Sequence, residues 1–221
     1  EPFLRRDLAD LIRLATSLGM VVTVVTNGTL LTLKRAQELA AAGLVNLVIS
    51  FDTLEDELYQ QIRGIPLAKP ASAFQVLQGY RRANACIPRV VVNAVLTRLN
   101  YHYLLGHIEA LLPWLLPQDS FMVQAYQPPA NVPASQDPLR FQPDDAPMLD
   151  ELCQTLVSRQ AQGWPVGNAV HFLERLPGFL ASNALPEGYE CLTAYSSLYI
   201  KETLDVHPCW QLPPVGNLGV H

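Results

Sequence analysis

Charged side chains are scarce in this chain, and cysteine is scarcer. Charged residues make up 16% of the 221, with 15 basic against 20 acidic, for a net charge of −5. A chain with no basic surplus has no electrostatic footprint for nucleic acid. Four cysteines in a chain of this size exclude a disulfide-built scaffold. No apolar run is long enough to span a bilayer. No secretory leader precedes the first element, although a chain opening on Glu1 need not carry one. These absences set a cytoplasmic location as the expectation. The five histidines form no HxH or HExxH pattern, and no P-loop or Ser/His/Asp set stands out. They read as surface or core histidines. There is no low-complexity tract and no repeat beyond an αβ alternation.

Proline is scarce only at first. Pro2, Pro66, Pro70 and Pro88 are the first four of eighteen, and the other fourteen fall from Pro113 onward. The front of the chain is therefore regular and the back rich in loops. The hydrophobic fraction of 49% describes a folded protein.

Three β-branched blocks dominate the front. Residues 20–26 read as a fully buried strand, ending in Thr26-Asn27-Gly28. Residues 45–51 give a second strand running into Ser50-Phe51-Asp52, with Arg63-Gly64 a short distance on. Residues 89–97 give a third, with Asn93 inside a valine run, and residues 120–126 a fourth. Helical spacing separates them. Leu4, Leu8, Leu11, Ile12, Ala15 and Leu18 lie on one face, and Gly19 is a stop signal. Thr32 caps a helix that Gly43 ends. Short and longer helices are expected near 55–62 and 71–84, the latter after a loop holding Gly64, Pro66 and Pro70. Leu104, Leu105, Ile108, Leu111, Leu112 and Leu115 make the clearest amphipathic helix.

Strand and helix in alternation mean right-handed βαβ units and a parallel sheet. Polar residues at the strand ends then share one rim, where such folds place their chemistry. The expected class is α/β: a partial parallel (β/α) barrel over residues 1–126 that lacks its first strands. A linker and helical segment follows over 127–185, with helices near 145–161 and 168–182 and Asp144-Asp145 starting the first. Residues 186–221 form a small α+β module with a strand over Ser196–Ile200. Cys86 and Cys153 read as small buried hydrophobes.

Each motif alone has an ordinary reading. Thr26-Asn27-Gly28 is a turn signal, and Arg63 on a helix is a solvated charge. In order, Glu1-Pro2, Thr26-Asn27-Gly28, Ile49-Ser50-Phe51-Asp52, Arg63-Gly64 and Asn93 resemble the radical S-adenosylmethionine superfamily over roughly residues 1–126. The resemblance implies an enzyme that binds S-adenosylmethionine against an iron–sulfur cluster of the 4Fe-4S type. It generates a 5′-deoxyadenosyl radical for hydrogen abstraction from a peptide or small-molecule substrate. A flavodoxin- or ferredoxin-like protein serves as electron donor. Carried over residue by residue, Glu1 faces the methionyl amino group, Ser50 bonds the ribose and Arg63 pairs the methionyl carboxylate, while Asn27 and Asn93 line the same rim. The tail, with Cys191, Pro208-Cys209 and Gly216-Asn217-Leu218, resembles the SPASM and twitch extensions. That likeness implies Cys191 and Cys209 as thiolate ligands of an auxiliary cluster and a turn at Gly216-Asn217-Leu218. The hairpin glycine of that pattern is absent, with Thr203-Leu204-Asp205 in its place.

The family's CxxxCxxC motif for the primary cluster is also absent. The chain reads as a fragment cut at both ends, inactive alone because that motif is missing. The alternative is a non-catalytic, degenerate barrel that holds a nucleoside or a peptide. A TIM-barrel hydrolase would need eight αβ repeats, which the proline-rich break after residue 126 argues against.

Overall fold

Four strand-like segments become four parallel strands, and the helices between them cover one face of the sheet. The computed structural model describes residues 1–84, 88–128, 132–182, 184, 188, 193–209 and 212–219. The elements of the first unit run α1 (Leu8–Ser17), β1 (Thr23–Thr26), α2 (Leu33–Ala41), β2 (Asn46–Ser50), α3 (Asp56–Arg63), α4 (Ala68–Ala83), β3 (Arg89–Leu96), α5 (Leu104–Leu111), β4 (Ser120–Ala125), α6 (Ala146–Ala161) and α7 (Val170–Ser182). The sheet order is β1-β2-β3-β4, parallel throughout. The chain is thus the α/β, partial-barrel architecture that the alternation implies.

Alternate strand residues turn to the helices. Leu47, Ile49, Val90, Val92, Ala94, Leu96 and Phe121 are fully buried against the helices. Each large side chain among them contributes roughly 1.5–3 kcal/mol of transfer free energy. The opposite residues, Val25, Val48, Asn93 and Met122 among them, line an open cavity of about 750 Å³ on the other face.

Local signals set the helix ends. The Thr32 hydroxyl accepts the Arg35 N–H at 3.3 Å and opens α2. Gly43 closes it at φ 99°, where a Cβ would stand 2.9 Å from Thr16. At the strands' N-terminal end Asp119 anchors the sheet. Its carboxylate takes Arg81 at 2.6 and 2.8 Å and the N–H groups of Val90 and Leu116. Burial pushes this acid up, but Arg81 and the two amides outweigh it and hold the acid below its ordinary range.

Several boundaries differ from the sequence expectation. The first strand starts at Thr23, and Val21 and Val25 are 73% and 53% exposed. It is half buried because it is the sheet's outer strand and its odd-numbered residues face the cavity. The first helix begins only at Leu8, and Leu4 is solvent-exposed. Helix α4 starts at Ala68, with Pro70 in its first turn, where a missing N–H costs nothing. Helix α5 ends at Leu111, just ahead of Pro113.

One strand-like piece had no sequence signal. Phe121 N–H donates to the Pro165 carbonyl and Gly167 N–H to the Phe121 carbonyl, each at 2.7 Å, so Val166 bridges Phe121 in parallel. The Asn168 side chain extends the pairing, its amide bonding Val123 N–H and C=O at 2.8 Å each. The αβ alternation therefore continues past the proline-rich break, with α6 as the crossover.

Residues Leu185–His221 make the second unit. Within it α8 (Thr193–Ser196) precedes an antiparallel sheet of β5 (Tyr199–Ile200), β6 (Asp205–His207) and β7 (Gly216–Asn217), in that order. The strand expected over Ser196–Ile200 is thus confined to its last two residues. Gly216-Asn217 pairs as a strand, and the turn starts at Leu218.

Candidate functional site at the strand C-terminal rim

The C-terminal end of β1 is closed by Glu1. Its carboxylate accepts the Thr26 hydroxyl at 2.7 Å, the Asn27 N–H at 3.0 Å and the Phe3 N–H at 3.3 Å. Glu1 therefore stands where the rim begins, with its oxygens already carrying donors from the strand end. The Asn27 oxygen accepts the Thr29 N–H and hydroxyl at 3.0 and 2.7 Å, a side-chain turn. Gly28 follows at φ 79°, and a Cβ there would lie 3.2 Å from Pro70.

Ser50 and Asn93 are register partners on β2 and β3, pointing to the open face. The Ser50 side chain is 7% exposed, and its hydroxyl takes no partner among the described residues. The Asn93 side-chain amide donates to Oε1 of the Gln124 side chain at 3.1 Å. Beneath Ser50 lies Tyr59, whose hydroxyl donates to the Ser50 backbone oxygen at 3.3 Å. Burial pushes the Tyr59 phenol up to about 12, so it stays a neutral donor.

Arg63 is brought not to open space but to Asp52. The guanidinium Nε and Nη2 both bond the Asp52 carboxylate, the latter at 2.9 Å. Asp52 is 1% exposed and also accepts the Val95 N–H at 2.8 Å. Burial works against the Arg63 charge, yet the hydrogen bond and charge of Asp52 outweigh it and raise the group above its ordinary value. These bonds occupy the Nε and Nη2 edge of the guanidinium. Asn100 completes this junction. It accepts the Thr97 N–H at 2.7 Å and donates to the carbonyls of Asp52 and Val95 at 3.0 and 2.9 Å. Neither the Asp52 role nor Asn100 was singled out from sequence, although the acid at the end of the Ser50-Phe51-Asp52 strand was the available signal.

The rim thus offers the Ser50 hydroxyl, a side-chain amide and part of a guanidinium beside an apolar cavity wall. That donor set fits a nucleoside with a polar head. It does not fit an iron–sulfur cluster. Cys153 is 2% exposed on α6, with its thiol pushed up to about 12 by burial and by Asp150. Cys209 is a half-buried free thiol after β6. Cys86 and Cys191 lie outside the described residues. Among the described residues no three metal-ligating side chains converge.

The profile of the radical SAM superfamily matches residues 1–111. With half of the chain matched and the partial barrel in place, this chain belongs to the radical SAM superfamily. It is 36% identical over 104 residues to the PqqA peptide cyclase of Bradyrhizobium diazoefficiens, covering 47% of this chain and 26% of that protein. It is 30% identical to a probable GTP 3′,8-cyclase of Methanopyrus kandleri, over 81% of this chain and 57% of that protein. In structure it is similar to SuiB of Streptococcus suis, with TM-score 0.68 at 18% identity, over 95% of this chain and 48% of that one. SuiB has been solved with S-adenosylmethionine and with its precursor peptide SuiA. The chain spans about a quarter of the length of the peptide cyclases it matches and about half of SuiB. Among the described residues no helix is long and apolar enough to cross a membrane.

Proposed function

We propose that this chain forms the S-adenosylmethionine-binding rim and substrate face of a radical SAM enzyme that modifies a peptide. The observation that supports it most is the placement of Ser50 and Asn93 side by side at the rim, above an open face lined by valines. Ser50 offers an unpaired hydroxyl suited to a ribose, as donor and acceptor at once. Glu1 and Arg63 face the methionyl amino and carboxylate groups, and Asn27 and Asn93 line the same rim. With an iron–sulfur cluster bound elsewhere in the protein, one electron from the cluster would cleave the S–C5′ bond of S-adenosylmethionine into methionine and a 5′-deoxyadenosyl radical able to take hydrogen from a substrate, and the rim residues would hold the methionyl and ribose groups. The electron comes from an external donor such as a flavodoxin or ferredoxin. Cys191 and Cys209 are two thiolate ligands of an auxiliary cluster. The peptide cyclase relative and the peptide complex of SuiB support a peptide as substrate.

Calorimetric titration with S-adenosylmethionine tests the rim, using the protein expressed from its full gene and reconstituted without oxygen. Ser50→Ala and Arg63→Ala each weaken binding, Arg63→Ala more. A charged bond lost from a partly buried group costs roughly 1.5–3 kcal/mol and a neutral one less. Unchanged affinity in both variants rejects the assignment.

A further inference from the structure

We propose that Arg89 is an anion anchor at the floor of the open cavity, holding a carboxylate or phosphate of the substrate while its reacting carbon sits at the rim. The first support is position. Arg89 opens β3 and shares a face with Val91 and Asn93, so it looks into the cavity rather than toward the helices. The second is the charge around it. No acidic side chain lines this cavity among the described residues, and Arg89 is the one cation there, in a chain whose net charge is −5.

The third is the set of donors beside it. Arg89 Nη2 donates to the hydroxyl of Ser120 at 2.9 Å, and Ser120 is itself 4% exposed. That hydroxyl keeps its own proton to give. In register beside Arg89 stands Asn46, which uses one amide proton on the Thr23 hydroxyl at 3.1 Å. A guanidinium, a hydroxyl and an amide on neighbouring strands make a cradle for anionic oxygens. Arg89 and Asn93 are four residues apart on one strand. Anchor and rim are therefore separated by about 13 Å, the length of some four extended peptide residues.

This rests on the radical SAM reading, so the test separates the two. The full-gene protein is labelled with phenylglyoxal, an arginine-selective reagent, and modification is mapped by mass spectrometry. Glutarate and inorganic phosphate serve as probes. Either anion slows labelling of Arg89 while leaving Arg6, likewise exposed but outside the cavity, unaffected. Protection by glutarate alone assigns a carboxylate-bearing substrate, and protection by phosphate alone a phosphorylated one. Ser120→Ala weakens the protection roughly tenfold, as loss of one bond to a charged group does. Arg89→Gln keeps the wild-type affinity for S-adenosylmethionine. No protection by either anion, or equal protection of Arg6, overturns the proposal. Loss of S-adenosylmethionine binding by the unmodified protein would instead sink the function above, leaving the Arg89 result to stand alone.

Discussion

Asp52 holds Arg63 by two bonds from one edge of the guanidinium, and the same carboxylate caps the Val95 N–H at 2.8 Å. One side chain thereby ties the end of β2 to α3 and to β3. Asp52 is almost wholly buried while Arg63 keeps 25% of its surface. Removing the acid leaves a half-buried cation and an uncapped amide.

Asp52→Asn is therefore expected to lower stability by about 2 kcal/mol, below the cost of breaking a fully buried pair because solvent reaches Arg63. Urea unfolding measures it. A midpoint unchanged from wild type would show that the junction is not what joins the strand ends.

His107 gives the fold a pH dependence. It is 3% exposed on α5 against Phe121, and both ring nitrogens lack partners among the described residues. Burial pushes its imidazole down to about 4, from an ordinary 6.5. The unfolded chain thus takes up a proton first as pH falls. Stability from the neutral ring is complete above about pH 6.5 and drains away toward pH 4, by up to about 3 kcal/mol. His107→Leu removes this slope. Parallel stability curves for the two proteins between those pH values would refute it.

Leu204 sits at φ 65° in the turn between β5 and β6, in the left-handed region that favours glycine. A left-handed residue with a Cβ costs roughly 1–2 kcal/mol, part of which glycine repays in chain entropy. Leu204→Gly is expected to stabilise the hairpin by up to about 1 kcal/mol. Hydrogen exchange at the Lys201 and Val215 amides, both bonded to β6, slows in the variant. Equal or faster exchange would mean that contacts of the leucine side chain outweigh the strain.

The order and direction of the four strands were legible because β-branched runs and helical spacing alternate at lengths only βαβ units satisfy. The same runs hid which strand is outermost. Val21-Val22-Thr23-Val24-Val25 reads as buried on both faces, yet one face looks onto an open cavity. The Val166 bridge was invisible because Trp164-Pro165-Val166-Gly167-Asn168 shows no alternation, and its pairing is completed by a side chain. Asn27 and Ser50 stand out because they end strands, whereas Glu1, Arg63 on α3 and Asn93 inside β3 are singled out only through the family resemblance. The cluster of Asn46, Arg89 and Ser120 could not be found, because only strand pairing assembles it: Asn46 stands opposite Arg89, and the Arg89 side chain reaches Ser120, which stands opposite Val91.

The cysteines set the last expectation: this 221-residue chain alone does not cleave S-adenosylmethionine. A cluster that binds the cofactor needs thiolates close together. The chain's cysteines stand at 86, 153, 191 and 209, with no two nearer than eighteen residues. Cys153 is withdrawn further, since burial keeps it a thiol at neutral pH. Reconstitution of the chain with iron and sulfide in the absence of oxygen, followed by chromatography, is expected to give no 5′-deoxyadenosine above background. In the protein from the full gene, Cys209→Ala lowers iron by one auxiliary cluster while the paramagnetic signal of the barrel cluster persists. Deoxyadenosine formed by the short chain would place the primary ligands among these four cysteines. Unchanged iron in Cys209→Ala would make the tail a cap without a cluster.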